Sequence, residues 1–469
     1  SATETITIGT DGIGSADTIG ATGLAGDDGI TLSGNIVLAD SAGADLTISD
    51  ALYISGDVTL ETDNTTNDGT ITISSTIDGV DGGADDDLII LAGDNDGDDT
   101  PGGSLTLSGV IGGSQALTTL DINQSAGNIS FTVPQVGSGG NAGVTGATRI
   151  GNAASGDIIF SGANANAYNF GGALTVTSNG GAGAFQFTGA DPTLTAGGAV
   201  TFTEGNGTDD TLVLGDLKDL TITTASANAN ITLPNIDGTA GDGNDGTDLT
   251  ILAGTGNVSV KSIDTDINDL RIDGTTITLT GDITTAAHNP GSADAASIDI
   301  NGAAVIGAGI TVTSGNGTVD FSGAVNSDSG ENRALTIVSG SGAAAINGTV
   351  GANDALGNLT INAAGTGAIT LSTVGADAAA GAAVLAIGNA DTSSLTLSGV
   401  DYHSAANAQT YTADAFLITG TDPTFTTANA AIKFVDGASS DIVLSDAADL
   451  TIRTSNGLID IEPEIIGTA

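Results

Sequence analysis

Aspartate is the side chain with the greatest chemical capacity in this sequence. The densest group is Asp94, Asp96, Asp98 and Asp99 in "AGDNDGDD", followed by Asp85, Asp86 and Asp87, and by Asp242 and Asp245 in "TAGDGNDGTD". Clustered carboxylates on turns are the ligand set of calcium, a hard cation that takes six to eight oxygens in flexible loops. The spacing is looser than a strict motif. An EF-hand loop beginning at Asp94 needs Gly at 99, where Asp stands; "GDGND" at 241–245 resembles a repeats-in-toxin calcium turn, but Thr247 occupies the apolar position. Asp also favours turns for its own sake, because its carboxylate accepts nearby backbone N–H groups. Turn-making is therefore the first reading of the aspartate excess, with calcium at Asp94, Asp96, Asp98 and Asp99 as the alternative that carboxylate density supports and spacing does not.

Other catalytic material is sparse. His288 and His403 lie 403 − 288 = 115 residues apart, each among Ala, Asn and Ser. The basic residues are Arg149, Arg271, Arg333, Arg453, Lys218, Lys261 and Lys433. There is no phosphate-binding Gly-Lys-Ser/Thr loop, no Gly-x-Ser-x-Gly elbow and no His-Glu-x-x-His. With no cysteine, thiol chemistry and disulfides are absent too. The catalytic set expected is none. The one enzymatic alternative is a polysaccharide-binding or polysaccharide-hydrolysing β-helix using two or three Asp residues.

The elements carrying these residues repeat. In "NLTINAAGTGAITLSTVG" (358–375), Leu359, Ile361 and Ala363 alternate with polar residues, a Gly-Thr-Gly break intervenes, and Ile369 and Leu371 resume the alternation. Period-two alternation puts apolar residues on one face of an extended strand, and glycine supplies the positive φ of a tight reversal. The unit returns at 173–187, 219–233, 248–260, 309–321, 334–346 and 449–467. Residues 310, 335 and 359 hold equivalent places, at steps of 335 − 310 = 25 and 359 − 335 = 24. Periods in the twenties mark solenoid coils, each burying its apolar face against its neighbours. Phe131, Phe160, Phe187, Phe202, Phe321 and Phe434 fall at alternating positions and are expected in the core.

The fold expected is all-β: one elongated β-solenoid of stacked coils over residues 1–469, with almost no helix. The 72 glycines and only 7 Lys and Arg leave few good helix formers beyond Ala and Leu. A longer echo, "FQFTGADPTLTAGGAVTF" from 185 against "FLITGTDPTFTTANAAIKF" from 416, predicts a duplication with halves of about 1–235 and 236–469. The formal charge of −49 repels nucleic acid and anionic membrane surfaces. No apolar run reaches the length of a membrane span.

Three stretches, "QALTTLDINQSAGNISF" (115–131), "DALGNLTINAAGTGAITLSTVG" (354–375) and "AQTYTADAFLITGTDPTFTTANAAIKF" (408–434), resemble repeats of very large bacterial surface proteins related to filamentous haemagglutinin. The likeness covers most of residues 105–467 and brings no catalytic motif. It implies a secreted rod at the bacterial surface, used in adhesion, surface layers or matrix, with cell-surface glycans or other matrix proteins as partners.

The function expected is that of a non-enzymatic extracellular structural or adhesive fibre. Its principal partner is a second copy, joined head to tail. A terminal coil exposes unpaired backbone and an open apolar face unless something caps it. Ile6 and Ile8 near the start, and Ile459, Ile461, Ile465 and Ile466 near the end, continue the strand pattern with no polar cap, and are the expected self-assembly residues.

Overall fold

The computed structural model describes residues 17–19 and 29–467, apart from 39–44, 63–68, 81–84, 93–103, 123–129, 154, 163–166, 179–184, 206–210, 216–218, 239–246, 265, 287–295, 362–365, 377–378, 406, 438–440 and 446–448. The described chain is all β-strand and connecting turns, with no helix. It forms a β-solenoid of stacked parallel strands. Two compact units divide it, Ser1–Ala227 and Asn228–Ala469.

In the first unit each coil contributes a short strand to each of three parallel sheets. One face stacks Leu46–Ile48, Ile71–Ile73, Leu105–Leu107, Phe131–Val133, Ile158–Phe160 and Phe185–Phe187. A second runs from Leu52–Ile54 through Ile77–Gly79, the single bridges at Ile111 and Val136, and on to Tyr168–Phe170 and Thr193–Ala196. The third stacks Val58–Glu61, Asp87–Leu91, Thr119–Ile122, Thr148–Ile150, Leu174–Ser178 and Val200–Glu204.

The second unit follows the same rule. Ile310, Leu335 and Leu359, the residues spaced 25 and 24 apart, are direct register partners on neighbouring coils. Strands Ile267–Leu279 and Ala296–Ile306 are long because each serves two faces, bending where the register shifts between Asp273 and Thr276.

Alternation makes this arrangement self-consistent. Parallel sheets usually carry continuous apolar runs because both faces are covered. Here only the inner face is covered, so Leu335 and Ile337 are buried while Thr336 between them is not. All six phenylalanines expected in the core are buried there. Each fully buried Leu, Ile or Phe contributes about 1.5–3 kcal/mol, and no coil completes that burial alone.

The glycine breaks differ from the tight reversal expected of them. The two strands of one repeat, such as Leu356–Ile361 and Ile369–Leu371, do not pair with each other; each pairs in parallel with strands one coil away. The break is thus a corner between two faces. The physical reason is stacking: in-register parallel neighbours satisfy the backbone of every strand, which a hairpin would leave half-bonded at each coil. Corners are also where glycine is demanded by space. A Cβ at Gly302, Gly323 or Gly348 would collide with the carbonyl of Gly274, Gly302 or Gly323 respectively, so these residues form one tight column.

One turn has the same conformation in both units. Asp191 and Asp422, each preceding Pro, adopt left-handed φ values of 46° and 48°. Their Oδ1 atoms accept the backbone N–H of Asp219 at 3.4 Å and of Asp449 at 3.1 Å, one coil on. Asp tolerates this conformation better than most residues because its short side chain bonds locally.

Candidate functional site

The aspartates that can be located do mostly structural work. Asp94, Asp96, Asp98, Asp99, Asp242 and Asp245 lie outside the described residues. Of the Asp85–Asp87 run, Asp85 is exposed, Asp86 is buried and Asp87 points outward to accept the Thr119 hydroxyl at 2.7 Å. Asp86 accepts the N–H of Val80 at 3.0 Å and of Gly56 at 3.3 Å through its two oxygens. Asp86 turns inward while Asp85 and Asp87 do not, so the three do not converge on one ion. Asp78, also buried, accepts the N–H groups of Ser114 and Gln115 at 2.8 and 3.2 Å. Both carboxylates thereby accept backbone N–H groups at the coil corners. Among the described residues no group of three His, Cys, Asp or Glu side chains is arranged to hold a metal ion.

Carboxylates do approach one another across coils. Burial chiefly, and then Asp299, raises the pKa of Asp320. Burial followed by Asp264 and Asp266 does the same for Asp237. Asp121 is raised by burial against the opposing pull of Arg149, whose guanidinium stands 3.4 Å away.

His288 lies outside the described residues. His403 sits on strand Asp401–Ser404, where burial lowers its pKa and the neighbouring Asp401 opposes that shift. Several basic side chains make exposed ion pairs: Arg271 with Asp273 at 2.7 Å, Arg333 with Asp328 at 3.1 Å and Lys433 with Asp460 at 3.9 Å. Such pairs contribute little stability. They do tie cations to individual carboxylates on the solenoid surface.

The last described coil is different in kind. Strands Thr451–Thr454, Ile459–Ile461 and Glu464–Gly467 each pair with one neighbour, Thr424–Thr427, Ile432–Asp436 and Asp441–Leu444 respectively. Ile432, Phe434 and Ile442 are sealed at 0% exposure. Their register partners on the last coil are not: Ile459 is 44% and Ile465 43% exposed, and Ile461 is half-buried. Leu458 at 59% and Ile466 at 38% extend the patch. Ile459, Ile461 and Ile465 are thus the inward-facing residues of this coil, while Ile466, next to Ile465 in the strand, faces the other way. Leu458 is not among the expected self-assembly residues, because its position before the strand hides its exposure from the alternation. Ile6 and Ile8 lie outside the described residues.

Two internal aromatic clusters also escape the strand pattern. Phe160 stacks on Phe187 at 4.7 Å with Tyr168 edge-on, and Tyr402 stacks on Phe425 at 4.6 Å with Tyr411 edge-on. The Tyr402 hydroxyl accepts the Gly399 N–H at 2.8 Å and donates to the Leu371 carbonyl at 3.1 Å. Tyr168 does the same with the Gly162 N–H and the Val133 carbonyl, at 2.5 and 3.4 Å. Burial drives both phenols far above their ordinary pKa, so they remain neutral hydrogen-bonding plugs. Compared with protein-family models, curated proteins and solved structures, the chain matches none.

Proposed function

We propose that this protein is a non-enzymatic extracellular fibre component, structural or adhesive, whose copies join head to tail. The observation that carries the reading is the stacking of parallel coils by alternating apolar strands, in which each coil presents an edge that another coil of the same kind can extend. An exposed parallel edge with an apolar inner face is a template for another coil of the same kind. A second copy is the proposed occupant, its sequence around Ile6 and Ile8 supplying a matching Ile-Thr-Ile alternation. Such a contact joins two different surfaces, and an open filament results when its rotation does not close. The resemblance to filamentous-haemagglutinin-like surface proteins agrees with this reading, as does the use of buried Asp for corner bonding.

Electron microscopy and light scattering on three chains test it. The native chain should form filaments. Deletion of 458–469, or the paired substitutions Ile459→Asp and Ile465→Asp, should leave a folded monomer by circular dichroism. Filaments of normal length from the charged variant would refute the assembly mechanism.

A further inference from the structure

The asparagines at the coil corners have a second use. Asn-x-Ser/Thr, with x other than Pro, is the acceptor triplet for N-linked glycans on exported proteins. A chain rich in threonine produces that triplet from composition alone, so its presence carries little weight. Placement carries more. Among the described residues the triplets begin at Asn230, Asn257, Asn316, Asn347 and Asn358, and every one of these asparagines is exposed. In Asn230, Asn257 and Asn358 the middle residue is Ile231, Val258 or Leu359, which is buried; the first two triplets step from a corner onto a strand, and Asn358 lies within strand Leu356–Ile361. The Asn230 and Asn257 triplets lie on adjacent coils in register, Ile231 beside Val258 and Thr232 beside Ser259.

At Asn230 and Asn316 hydrogen bonding then fixes which end of the amide faces solvent. The Asn257 N–H donates to Asn230 Oδ1 at 2.9 Å, and the Ser341 N–H donates to Asn316 Oδ1 at 3.3 Å. A backbone donor must meet the oxygen, so the amide orientation follows from the bond itself. With Oδ1 turned to the next coil, Nδ2 is the atom left for chemistry, and the corner bond survives its modification. Asn347 is the contrast, since its Nδ2 donates to Asp320 Oδ1 at 2.6 Å.

We infer that the exposed asparagines Asn230, Asn257, Asn316 and Asn358 are N-glycosylation sites, with Asn347 spared. The donor is a polyprenyl-diphosphate-linked oligosaccharide. Nδ2 attacks the anomeric carbon, the N–C bond forms as the C–O bond to diphosphate breaks, diphosphate departs with the electron pair, and one amide proton passes to the transferase base. The inference rests on the extracellular reading, because this transfer takes place on the exported side of a membrane.

The test is intact-mass and glycopeptide mass spectrometry on the chain isolated from its own cells and their medium. A mass above that of the bare chain is expected, with hexose-containing peptides spanning Asn257 and at least one of Asn230, Asn316 and Asn358, and none at Asn347. Asn257→Gln, expressed in the same cells, should lose one glycan's mass and keep its circular dichroism spectrum. A bare mass on filaments recovered from the medium overturns the inference and leaves the fibre reading intact. A bare chain confined to the cytoplasm overturns both, and sugar found only on Ser, Thr or Asn347 overturns the inference alone.

Discussion

Asp299 and Asp320 are register partners on neighbouring coils, so two carboxylates face the solvent side by side along one sheet. Like charges directly opposite one another destabilise a sheet. Burial and then Asp299 hold the Asp320 pKa above its ordinary 3.8, so the folded state binds more protons than the unfolded state as pH falls toward that value. Stability then drops as pH rises through this window and recovers as pH is lowered. Asp237, Asp157 and Asp121 shift in the same direction. The melting temperature should rise as pH is lowered from neutrality toward the ordinary aspartate range. Asp320→Asn should raise stability at pH 7 by about 0.5 kcal/mol and flatten that rise. A monotonic fall in melting temperature over this range would count against the carboxylate ladder.

Glycine at the corner column should be intolerant of even one methyl group. Gly323→Ala drives Cβ into the Gly302 carbonyl, and overpacking of this kind costs about 1–3 kcal/mol. Gly309, with open space around its notional Cβ, provides the control; its change to Ala should stay within about 0.5 kcal/mol. Equal denaturation midpoints for the two variants would contradict the column.

The tyrosine plugs should each be worth a measurable amount. Tyr402→Phe strands the Gly399 N–H in the interior, at about 1–3 kcal/mol, while the Leu371 carbonyl keeps the Ser398 N–H at 3.0 Å. Tyr168→Phe should behave alike through Gly162. Phe425→Ala, which empties a stacked position, should cost about 3–5 kcal/mol. Urea unfolding of the three variants measures these losses.

Calcium held by Asp94, Asp96, Asp98 and Asp99 should stabilise the fold through mass action, by about 2.7 kcal/mol at a hundredfold excess over Kd. Adding chelator at low salt should lower the melting temperature, and changing the four residues to Asn should abolish that response. An unaltered melting temperature on chelation assigns the aspartate excess to turns and solubility.

The sequence made much of the fold legible because alternation is local. Ile310, Leu335 and Leu359 could be recognised as equivalent from spacing, and they are register partners. Phe321 and Phe434 could be placed inside by their polar flanks. What alternation cannot encode is which strand meets which. A Gly-Thr-Gly break reads the same whether the chain doubles back or turns a corner, and only stacking decides. Nor does spacing distinguish Asp86, turned in to bind Val80 and Gly56, from Asp85, left in solvent. Ile277 and Ile272 belong to one strand but to different faces, because a register shift between Asp273 and Thr276 separates them. The candidate surface was half legible for the same reason: strand character at Ile459 and Ile465 is local, whereas their exposure depends on what stacks beyond them.

Corner length varies while the register of the stacked strands is kept. From Ile71 to its partner Leu105 the chain takes 105 − 71 = 34 residues, and from Ile298 to Val319 it takes 319 − 298 = 21. Both steps end in strands that sit in register. An insertion at a corner is therefore absorbed locally, without shifting the reading frame of any sheet. Lineages descended from such a chain can drift in length corner by corner while every stack keeps its alignment, and a peptide tag spliced into one corner should leave neighbouring coils undisturbed.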